Sequence, residues 1–178
     1  MKITVFGGAS LKPGETAYEE ARELGYQLGK QGHTLLTGGY IGTMEAVSKG
    51  ASEAGAHVIG STCADIEAWR GTRANEWVKE EWKHATLRDR MYALVDACDI
   101  AIVLPGGIGT LAELAVFWNE EVISQKPSRQ VLLIGEGWKN TIQMFFDSFV
   151  GFINSKDQNR VHFVESVQSA VDFIASMR

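Results

Sequence analysis

The sequence predicts an α/β fold of the Rossmann-like, doubly wound kind, in which a parallel sheet lies between two layers of helices. Short apolar runs alternate with stretches of helical periodicity along the chain. Two of these runs, residues 100–104 and 131–134, are continuously apolar, as strands buried on both faces are. Three of the runs end in glycine-rich turns. We therefore expect residues 1–178 to form a single three-layer domain.

The order of the elements follows from apolar spacing and from the glycines between the runs. The first helical stretch has its apolar residues at helical intervals: Ala17, Ala21, Leu24 and Leu28. It is followed by Gly32, and glycine commonly stands just past the end of a helix. We expect six strands, at residues 2–6, 33–37, 57–61, 100–104, 130–134 and 161–164. We expect six helices, at residues 15–31, 42–54, 86–97, 108–124, 138–148 and 166–176.

Two stretches do not fit this alternation. Residues 62–85 contain three tryptophans and two arginines without a clear apolar period. A loop of this length in a compact domain is usually functional or disordered, so a tryptophan here stacks on a base or packs against the domain edge. Residues 151–160 have the composition of a polar surface loop, and we assign them no role.

Length and composition favour a compact soluble protein that acts on a small molecule. Of the 178 residues, 45% are apolar and 22% are charged, which is enough for one full core. The formal net charge of −5 argues against binding to nucleic acid, which requires a basic face. Two cysteines cannot form a disulfide framework, and Cys98 is expected to be buried. The chain has no apolar run of membrane-spanning length and no signal peptide, so we expect a cytoplasmic protein without membrane contact.

The most informative segment is LPGGIGTLAE, residues 104–113, which joins an apolar strand to a helix. Its three glycines have no side chains: Gly106, Gly107 and Gly109. Backbone N–H groups can therefore surround a phosphate at the helix N-terminus, and Thr110 adds a hydroxyl donor. Glu113 follows at about a sugar's width from that phosphate, given ~1.5 Å of rise per residue. The segment predicts a nucleotide as the ligand.

Two further glycine turns follow strands, GGAS at residues 7–10 and GGYIGT at residues 38–43. In a parallel sheet the three turns meet at the edge where such folds bind ligands. They supply further candidates for phosphate or ribose binding: Gly8, Ser10, Gly39, Gly42 and Thr43. The Walker loop and the dinucleotide fingerprint are both absent. Histidine and cysteine spacing indicates no metal site, and we expect no cofactor.

These motifs resemble those of the LONELY GUY family of cytokinin riboside 5′-monophosphate phosphoribohydrolases, which also carry the older label "lysine decarboxylase-like". Residues 105–113 match the family motif P-G-G-x-G-T-x-x-E at every fixed position. Residues 87–91, LRDRM, correspond by spacing to a second family motif, so the resemblance makes Arg90 the counterpart of the catalytic arginine. Three other segments resemble family segments: residues 6–10, 38–45 and 161–165. Only residues 62–85 are unmatched.

The resemblance implies hydrolysis of a nucleoside 5′-monophosphate to free base and ribose 5-phosphate, with Arg90 and Glu113 as the catalytic residues. Related proteins of this fold are molybdenum-cofactor carriers, which bind a phosphorylated pterin without hydrolysing it. A non-catalytic carrier or sensor is therefore the alternative. A decarboxylase would need a Schiff-base lysine, and no lysine lies in a glycine loop. Departures from the family pattern bear on substrate choice: Arg88, Met91 and Ala112.

The chemistry of the reaction also suits Glu113. Breaking an N-glycosidic bond develops positive charge on C1′, which a fixed carboxylate stabilises. The helix dipole should keep Glu113 ionised, which favours a charge stabiliser or water activator over a general acid. Arg90 could fix Glu113 in a bidentate pair or bind the phosphate or the departing base. Judged by periodicity alone, Arg90 lies on the polar face of its helix, opposite a buried face of Leu87, Met91, Leu94, Val95 and Cys98.

The helix after the glycine loop is more apolar than one buried stripe requires. Its large apolar residues are Leu114, Val116, Phe117, Trp118, Val122 and Ile123. Family members are homodimers or larger assemblies, so we expect a homodimer or higher homo-oligomer that uses residues 86–97 and 108–124. The alternative is that residues 62–85 of the same chain cover Phe117 and Trp118.

Overall fold

The computed structural model describes residues 1–124 and 129–177. In this part of the chain, seven strands and eight helices alternate as follows: β1 (Lys2–Phe6), α1 (Thr16–Lys30), β2 (Thr34–Thr37), α2 (Thr43–Glu53), β3 (Val58–Cys63), α3 (Ala64–Arg70), β4 (Glu80–His84), α4 (Leu87–Asp96), β5 (Ile100–Val103), α5 (Ile108–Ile123), β6 (Gln130–Ile134), α6 (Glu136–Ser148), α7 (Ser155–Gln158), β7 (Val161–Val164) and α8 (Val167–Ser176).

The strands form one parallel sheet in the order β4-β3-β2-β1-β5-β6-β7. The chain builds outward from β1 to β4, then crosses to the other side of β1 and builds outward from β5 to β7. This reversal lies between β1 and β5, where Ile3 is opposite Ile100 and Phe6 is opposite Val103. Open α/β sheets bind ligands beyond the carboxyl ends of strands at such a reversal. The predicted fold class is confirmed.

Two apolar cores lie on opposite faces of the sheet. Helices α1, α2 and α8 cover one face, and α4, α5 and α6 cover the other. Alternate residues of each strand serve the two cores, so that in β1 Ile3 and Val5 face the first core and Phe6 faces the second. Cys98 is buried in the second core, as expected, and burial raises the pKa of its thiol.

The six predicted strands are confirmed, but β4, α3 and α7 were not predicted from the sequence. Residues 62–85 contain α3 and β4, so the interpretation of that segment as irregular was wrong. Strand β4 has the sequence EEWKH and pairs with β3 at the edge of the sheet. Because an edge strand is only partly covered, it shows no apolar run. The short helix α7 likewise lies in residues 151–160, which were interpreted as a loop.

The first helix differs in detail from its prediction. Ala17 is exposed, and Tyr18 is buried in its place. The helix begins at Thr16, and the stripe that faces the core begins at Tyr18 and continues through Ala21 and Leu24. The helix ends at Lys30, two residues before Gly32, whose φ is +79°.

Two of the large apolar residues of α5, Phe117 and Trp118, are covered by the same chain. Phe117 is 1% exposed, and Trp118 packs edge-on against Phe145 and Phe146 of α6. The indole Nε1 of Trp118 donates to the carbonyl of Asp157 at 2.9 Å. Phe117 and Trp118 are therefore not an open interface, and the segment that covers Trp118 is α6, not residues 62–85.

A buried carboxylate fixes the far end of α5. Glu121 is 1% exposed, and its Oε1 accepts from Nε of Arg129 at 2.6 Å. The Arg129 guanidinium also donates to the carbonyl of Val95, in the last turn of α4, and to that of Cys98, just past its end. Because a buried charge is costly without partners, this cluster holds α4 and α5 in one fixed arrangement.

Helices α1 and α2 pack closely at two glycines. A Cβ at Gly50 would lie 1.8 Å from the carbonyl oxygen of Arg22, and a Cβ at Gly25 would lie 2.2 Å from that of Val47. Backbone cannot yield as a flexible side chain can, so a larger residue forces the helices apart.

We expect Gly50→Ala to destabilise the protein by about 2–3 kcal/mol, the cost of overpacking against backbone. Gly137→Ala is the matched control, because Gly137 is also helical and its added Cβ would meet nothing within 4 Å. The control should be stabilised by about 0.5 kcal/mol from the helix preference for alanine. Urea unfolding of both variants measures the difference. Equal stability of the two variants would contradict close packing of α1 on α2.

Candidate active site

The loop between β5 and α5 is open to solvent, and we call its residues 105–109 the glycine cradle. Gly106, Gly107 and Gly109 are exposed, and the helix begins at Ile108 without a side-chain cap. The N–H groups of the first helical turn therefore have no capping side chain, and N–H groups at such a helix N-terminus can bind an anion. The positive end of the helix dipole lies at the same place.

The glycines of this loop do two different things. A Cβ at Gly106 would lie 2.2 Å from the Thr110 hydroxyl and 2.9 Å from the backbone nitrogen of Gly8, so this position is required for packing. A Cβ at Gly107 or Gly109 would meet nothing within 4 Å, and neither residue has a positive φ. Neither packing within the described chain nor backbone conformation demands glycine there. The free space lies where a ligand would approach the helix N-terminus.

Hydrogen bonds join the three glycine turns. The Gly8 N–H donates to the carbonyl of Pro105 at 3.1 Å, and the Thr43 N–H donates to the carbonyl of Gly8 at 2.9 Å. A Cβ at Gly42 would lie 2.6 Å from the Gly8 oxygen, which shows how closely the turns approach. The predicted convergence of the turns is therefore observed.

The remaining candidates differ in access. Ser10 is exposed at the rim, and Thr110 is buried with its hydroxyl against Gly106. Gly42 and Thr43 are buried within the joined turns, and the Thr43 hydroxyl has no hydrogen-bond partner among the described residues. Gly39 packs against β3, away from the loop after β5. Their contacts with a ligand stay predictions.

Arg90 is buried, so its assignment to a polar helix face was wrong. Its side chain is 5% exposed, whereas Leu87, which was expected to be buried, is 48% exposed. Arg90 lies one turn before Leu94 on the face of α4 that packs against the carboxyl ends of the strands. A charged residue looks polar in a periodicity analysis, even where the fold supplies partners for it.

The guanidinium of Arg90 has partners from four different segments. Its Nε donates to the Ser61 carbonyl at 2.8 Å, and Nη2 donates to the Gly38 carbonyl at 3.2 Å. Nη2 also contacts Sδ of Met44, and Nη1 donates to Oε1 of Glu113 at 3.4 Å. Four of its five N–H groups are thus engaged. The contact with Glu113 is single, not bidentate, and the second N–H of Nη1 has no partner among the described residues.

The Glu113 carboxyl is nearly enclosed. Its side chain is 14% exposed, and burial raises the pKa of Glu113 to about 7, an effect that the positive charge of Arg90 partly opposes. The sequence analysis expected the helix dipole to favour the ionised carboxylate, whereas burial shifts the pKa of Glu113 in the opposite direction. Glu113 lies in the second turn of α5, where the helix dipole has weakened, and desolvation outweighs it. A carboxyl of this pKa can accept and return a proton near neutral pH.

Tyr40 and Asn75 are parts of this site that the sequence analysis missed. The Tyr40 ring lies 5.6 Å from the Arg90 guanidinium carbon, and Asn75 donates to the Tyr40 carbonyl at 2.8 Å. A fully buried tyrosine inside a glycine-rich turn is the signal that could have indicated the first. Among residues 1–124 and 129–177 there is no group of His, Cys, Asp or Glu side chains that could hold a metal ion. None of the helices described there is long and apolar enough to cross a membrane.

Comparison with known proteins gives two kinds of similarity. The SLOG cluster4 family matches residues 1–171. The cytokinin riboside 5′-monophosphate phosphoribohydrolase LOG1 of Arabidopsis thaliana is 32% identical over 99% of this chain and 82% of its own length. The corresponding enzyme LOG5 of the same plant is 31% identical over 99% of this chain and 76% of its own length.

Solved structures give the second similarity. The molybdenum cofactor binding protein of Rippkaea orientalis superposes with a TM-score of 0.75 and 26% identity, over 99% of this chain and 96% of that one. The molybdenum cofactor carrier protein of Chlamydomonas reinhardtii superposes with a TM-score of 0.74 and 26% identity, over 98% and 96%. The same architecture thus occurs in proteins described as enzymes and in proteins described as carriers.

We expect the Glu113 carboxyl to titrate near pH 7, because burial disfavours its charged form. ¹³C NMR of protein labelled at the glutamate carboxyl carbon measures this, with the resonance identified by its loss in Glu113→Gln. Arg90→Gln should move the midpoint higher, since it removes the cation that favours the carboxylate. Titration of Glu113 near the ordinary glutamate value of 4.5 would contradict the enclosed site.

Proposed function

The chain belongs to the SLOG cluster4 family, and on that premise we propose that it is a nucleoside 5′-monophosphate phosphoribohydrolase. Water breaks the N-glycosidic bond of AMP or a cytokinin ribotide and releases the free base and ribose 5-phosphate. The observation that carries this proposal is the Glu113 carboxyl, which is enclosed beside the open glycine cradle and fixed by Arg90 at 3.4 Å. The phosphoribohydrolase relatives from Arabidopsis support it.

Each group has a defined part in the proposed reaction. The glycine cradle before α5 binds the 5′-phosphate, which brings C1′ to Glu113. As the bond from C1′ to the base breaks, its electron pair leaves with the base, and positive charge develops on the sugar. The ionised carboxylate stabilises that positive charge and takes a proton from the water whose oxygen bonds to C1′. The carboxyl then passes this proton to the departing base. Arg90 holds the carboxylate in place and favours its ionised form.

A second candidate function is carriage of a phosphorylated cofactor without turnover. It is favoured by the two superposed structures, which are described as a molybdenum cofactor binding protein and a molybdenum cofactor carrier protein. A carrier would use the same cradle for a phosphate, but it would have no need of a carboxyl whose pKa is about 7. Glu113 therefore distinguishes the two candidates.

We expect the purified protein to release adenine from AMP, and Glu113→Gln to lose at least ~10²-fold of this rate, the scale of a lost electrostatic partner. Because the cradle is unchanged, the variant should still bind AMP in calorimetry. Adenosine should react poorly, since it lacks the phosphate that positions C1′. Chromatography measures the released base.

The carrier would behave differently in the same assay. Recovery of intact AMP from the wild-type protein, together with tight binding of it, would contradict hydrolysis and favour carriage. A Glu113→Gln variant that retained activity within a few-fold of wild type would contradict the assigned role of Glu113.

We further propose that the protein forms a homodimer through the outer face of α4 and α5. After Phe117 and Trp118 are covered, large apolar side chains on these two helices remain exposed: Leu87, Tyr92, Ile108, Leu111, Val122 and Ile123. Ile108 is 82% exposed and adjoins Gly107 and Gly109 of the cradle. An apolar surface of this kind is typical of an interface, and a two-fold contact would shield the site from solvent.

Light scattering at micromolar concentration should give about twice the chain mass of 19.5 kDa. Leu111→Asp, at a side chain that is 39% exposed, should yield monomers because it places a charge in the contact without altering the core. A wild-type monomer that still releases base from AMP would contradict the proposed dimer and its support of the site.

A further inference from the structure

Arg90 is held beyond the point where two strands stop pairing. The β2–β3 ladder has its last pair at Thr37 and Gly60. The two carbonyls that bind the guanidinium come directly after it, from Gly38 at 3.2 Å and from Ser61 at 2.8 Å. The ladder itself no longer sets the separation of these carbonyls. Another contact must therefore fix the gap between the Gly38 and Ser61 carbonyls, which the guanidinium fills.

Tyr40 closes this gap. It lies two residues past Gly38, and its hydroxyl bonds twice to Cys63, two residues past Ser61. The hydroxyl accepts from the Cys63 N–H at 2.8 Å and donates to the Cys63 carbonyl at 3.1 Å. The ring is fully buried, with its face 5.6 Å from the guanidinium carbon of Arg90. Burial raises the pKa of Tyr40, so its hydroxyl stays protonated and keeps its donor.

Asn75 holds the turn that carries Tyr40. Its backbone N–H donates to the Gly39 carbonyl at 2.8 Å, and its side-chain Nδ2 donates to the Tyr40 carbonyl at 2.8 Å. Its Oδ1 accepts from the Trp77 N–H at 3.2 Å, which fixes the amide itself. Asn75 belongs to residues 62–85, whose role the sequence left open. This segment reaches back across the ends of β2 and β3 to the site.

We propose that Tyr40 and Asn75 are positioning residues, which act through Arg90 to hold the Glu113 carboxyl in its working place and protonation state. In the part of the chain that the structure describes, neither side chain forms a hydrogen bond with Glu113. They fix the two carbonyls that orient the Arg90 guanidinium. The guanidinium in turn orients the Glu113 carboxyl and favours its ionised form. The inference rests on the proposed function for its kinetic consequence, but its electrostatic consequence stands without it.

Two neutral substitutions test this on the full chain. Tyr40→Phe keeps the ring on Arg90 and removes both bonds to Cys63, whereas Asn75→Ala removes the bond to the Tyr40 carbonyl. Each loosens Arg90 and weakens the cation's hold on Glu113. We expect the Glu113 midpoint in ¹³C NMR to rise by about half a unit or more, a fraction of the 1–3 units that a close cation supplies.

Tyr18→Phe is the matched control. Tyr18 is a buried tyrosine at 1% exposure, and its hydroxyl donates to Glu45 at 3.2 Å, not to Arg90 or to a partner of Arg90. Its loss should cost comparable stability and leave the Glu113 midpoint where the wild-type protein has it. A general loosening of the fold would move the Glu113 midpoint in all three variants. A positioning role of Tyr40 and Asn75 would move it in Tyr40→Phe and Asn75→Ala but not in Tyr18→Phe.

Kinetics on AMP give the second readout. Tyr40→Phe and Asn75→Ala should lower kcat about tenfold, within the range that misplaced catalytic groups show, and leave KM within about twofold. Neither residue belongs to the glycine cradle before α5, which is the proposed binding place of the phosphate. The acid limb of the kcat profile should move up in pH together with the NMR midpoint.

Glu113 midpoints that are unchanged or lower in both variants would overturn the inference, and so would a shift equal to that of Tyr18→Phe. If Tyr40→Phe does not fold, Asn75→Ala decides, since Asn75 is only half-buried. Absence of base release from AMP by the wild-type protein would contradict the proposed function alone. The NMR comparison would still confirm or overturn the positioning role.

Discussion

The site depends on how one buried cation finds acceptors. Arg90 is removed from water at the end of the sheet, where an unpartnered guanidinium would cost several kcal/mol. Its acceptors come from the turn after β2, from β3, from α2 and from α5. Satisfying the cation therefore requires these segments to meet at one point. The same requirement places the Glu113 carboxyl against a positive charge in a nearly closed space.

Burial and charge act on Glu113 in opposite directions. Desolvation favours the neutral carboxyl, Arg90 favours the carboxylate, and the balance leaves the pKa of Glu113 at about 7. A fully exposed carboxylate would be a poor base, and a buried one without a cation would be permanently protonated. A pKa near neutral pH requires both the burial and the cation. Small displacements of Arg90 therefore change the protonation state of Glu113 and the chemistry that it can perform.

The sequence predicts those elements of the fold that have local signals, and it misses features that depend on remote partners. Strand β5 and helix α5 were predicted well, because an apolar run and a glycine turn are local signals. Strand β4 was missed because its residues EEWKH lie at the sheet edge and need no apolar alternation. Periodicity alone placed Arg90 on a polar helix face, because it treats charges as exposed and the partners of Arg90 are remote in sequence; only the family resemblance indicated a role for it. For the same reason Asn75, which contacts the turn at Gly39 and Tyr40, had no local signal.

Glycine illustrates the same distinction within one motif. From the sequence, Gly106, Gly107 and Gly109 were all predicted to border the ligand in the same way. The structure separates Gly106, which packs against Thr110 and Gly8, from Gly107 and Gly109, which border free space. We propose that this free space holds a nucleotide phosphate and that Glu113 faces C1′. A crystal structure of Glu113→Gln with AMP would show both contacts. We expect the phosphate on the N–H groups at the start of α5, with C1′ beside residue 113; a phosphate bound elsewhere, or a ribose turned away from residue 113, would contradict the proposal.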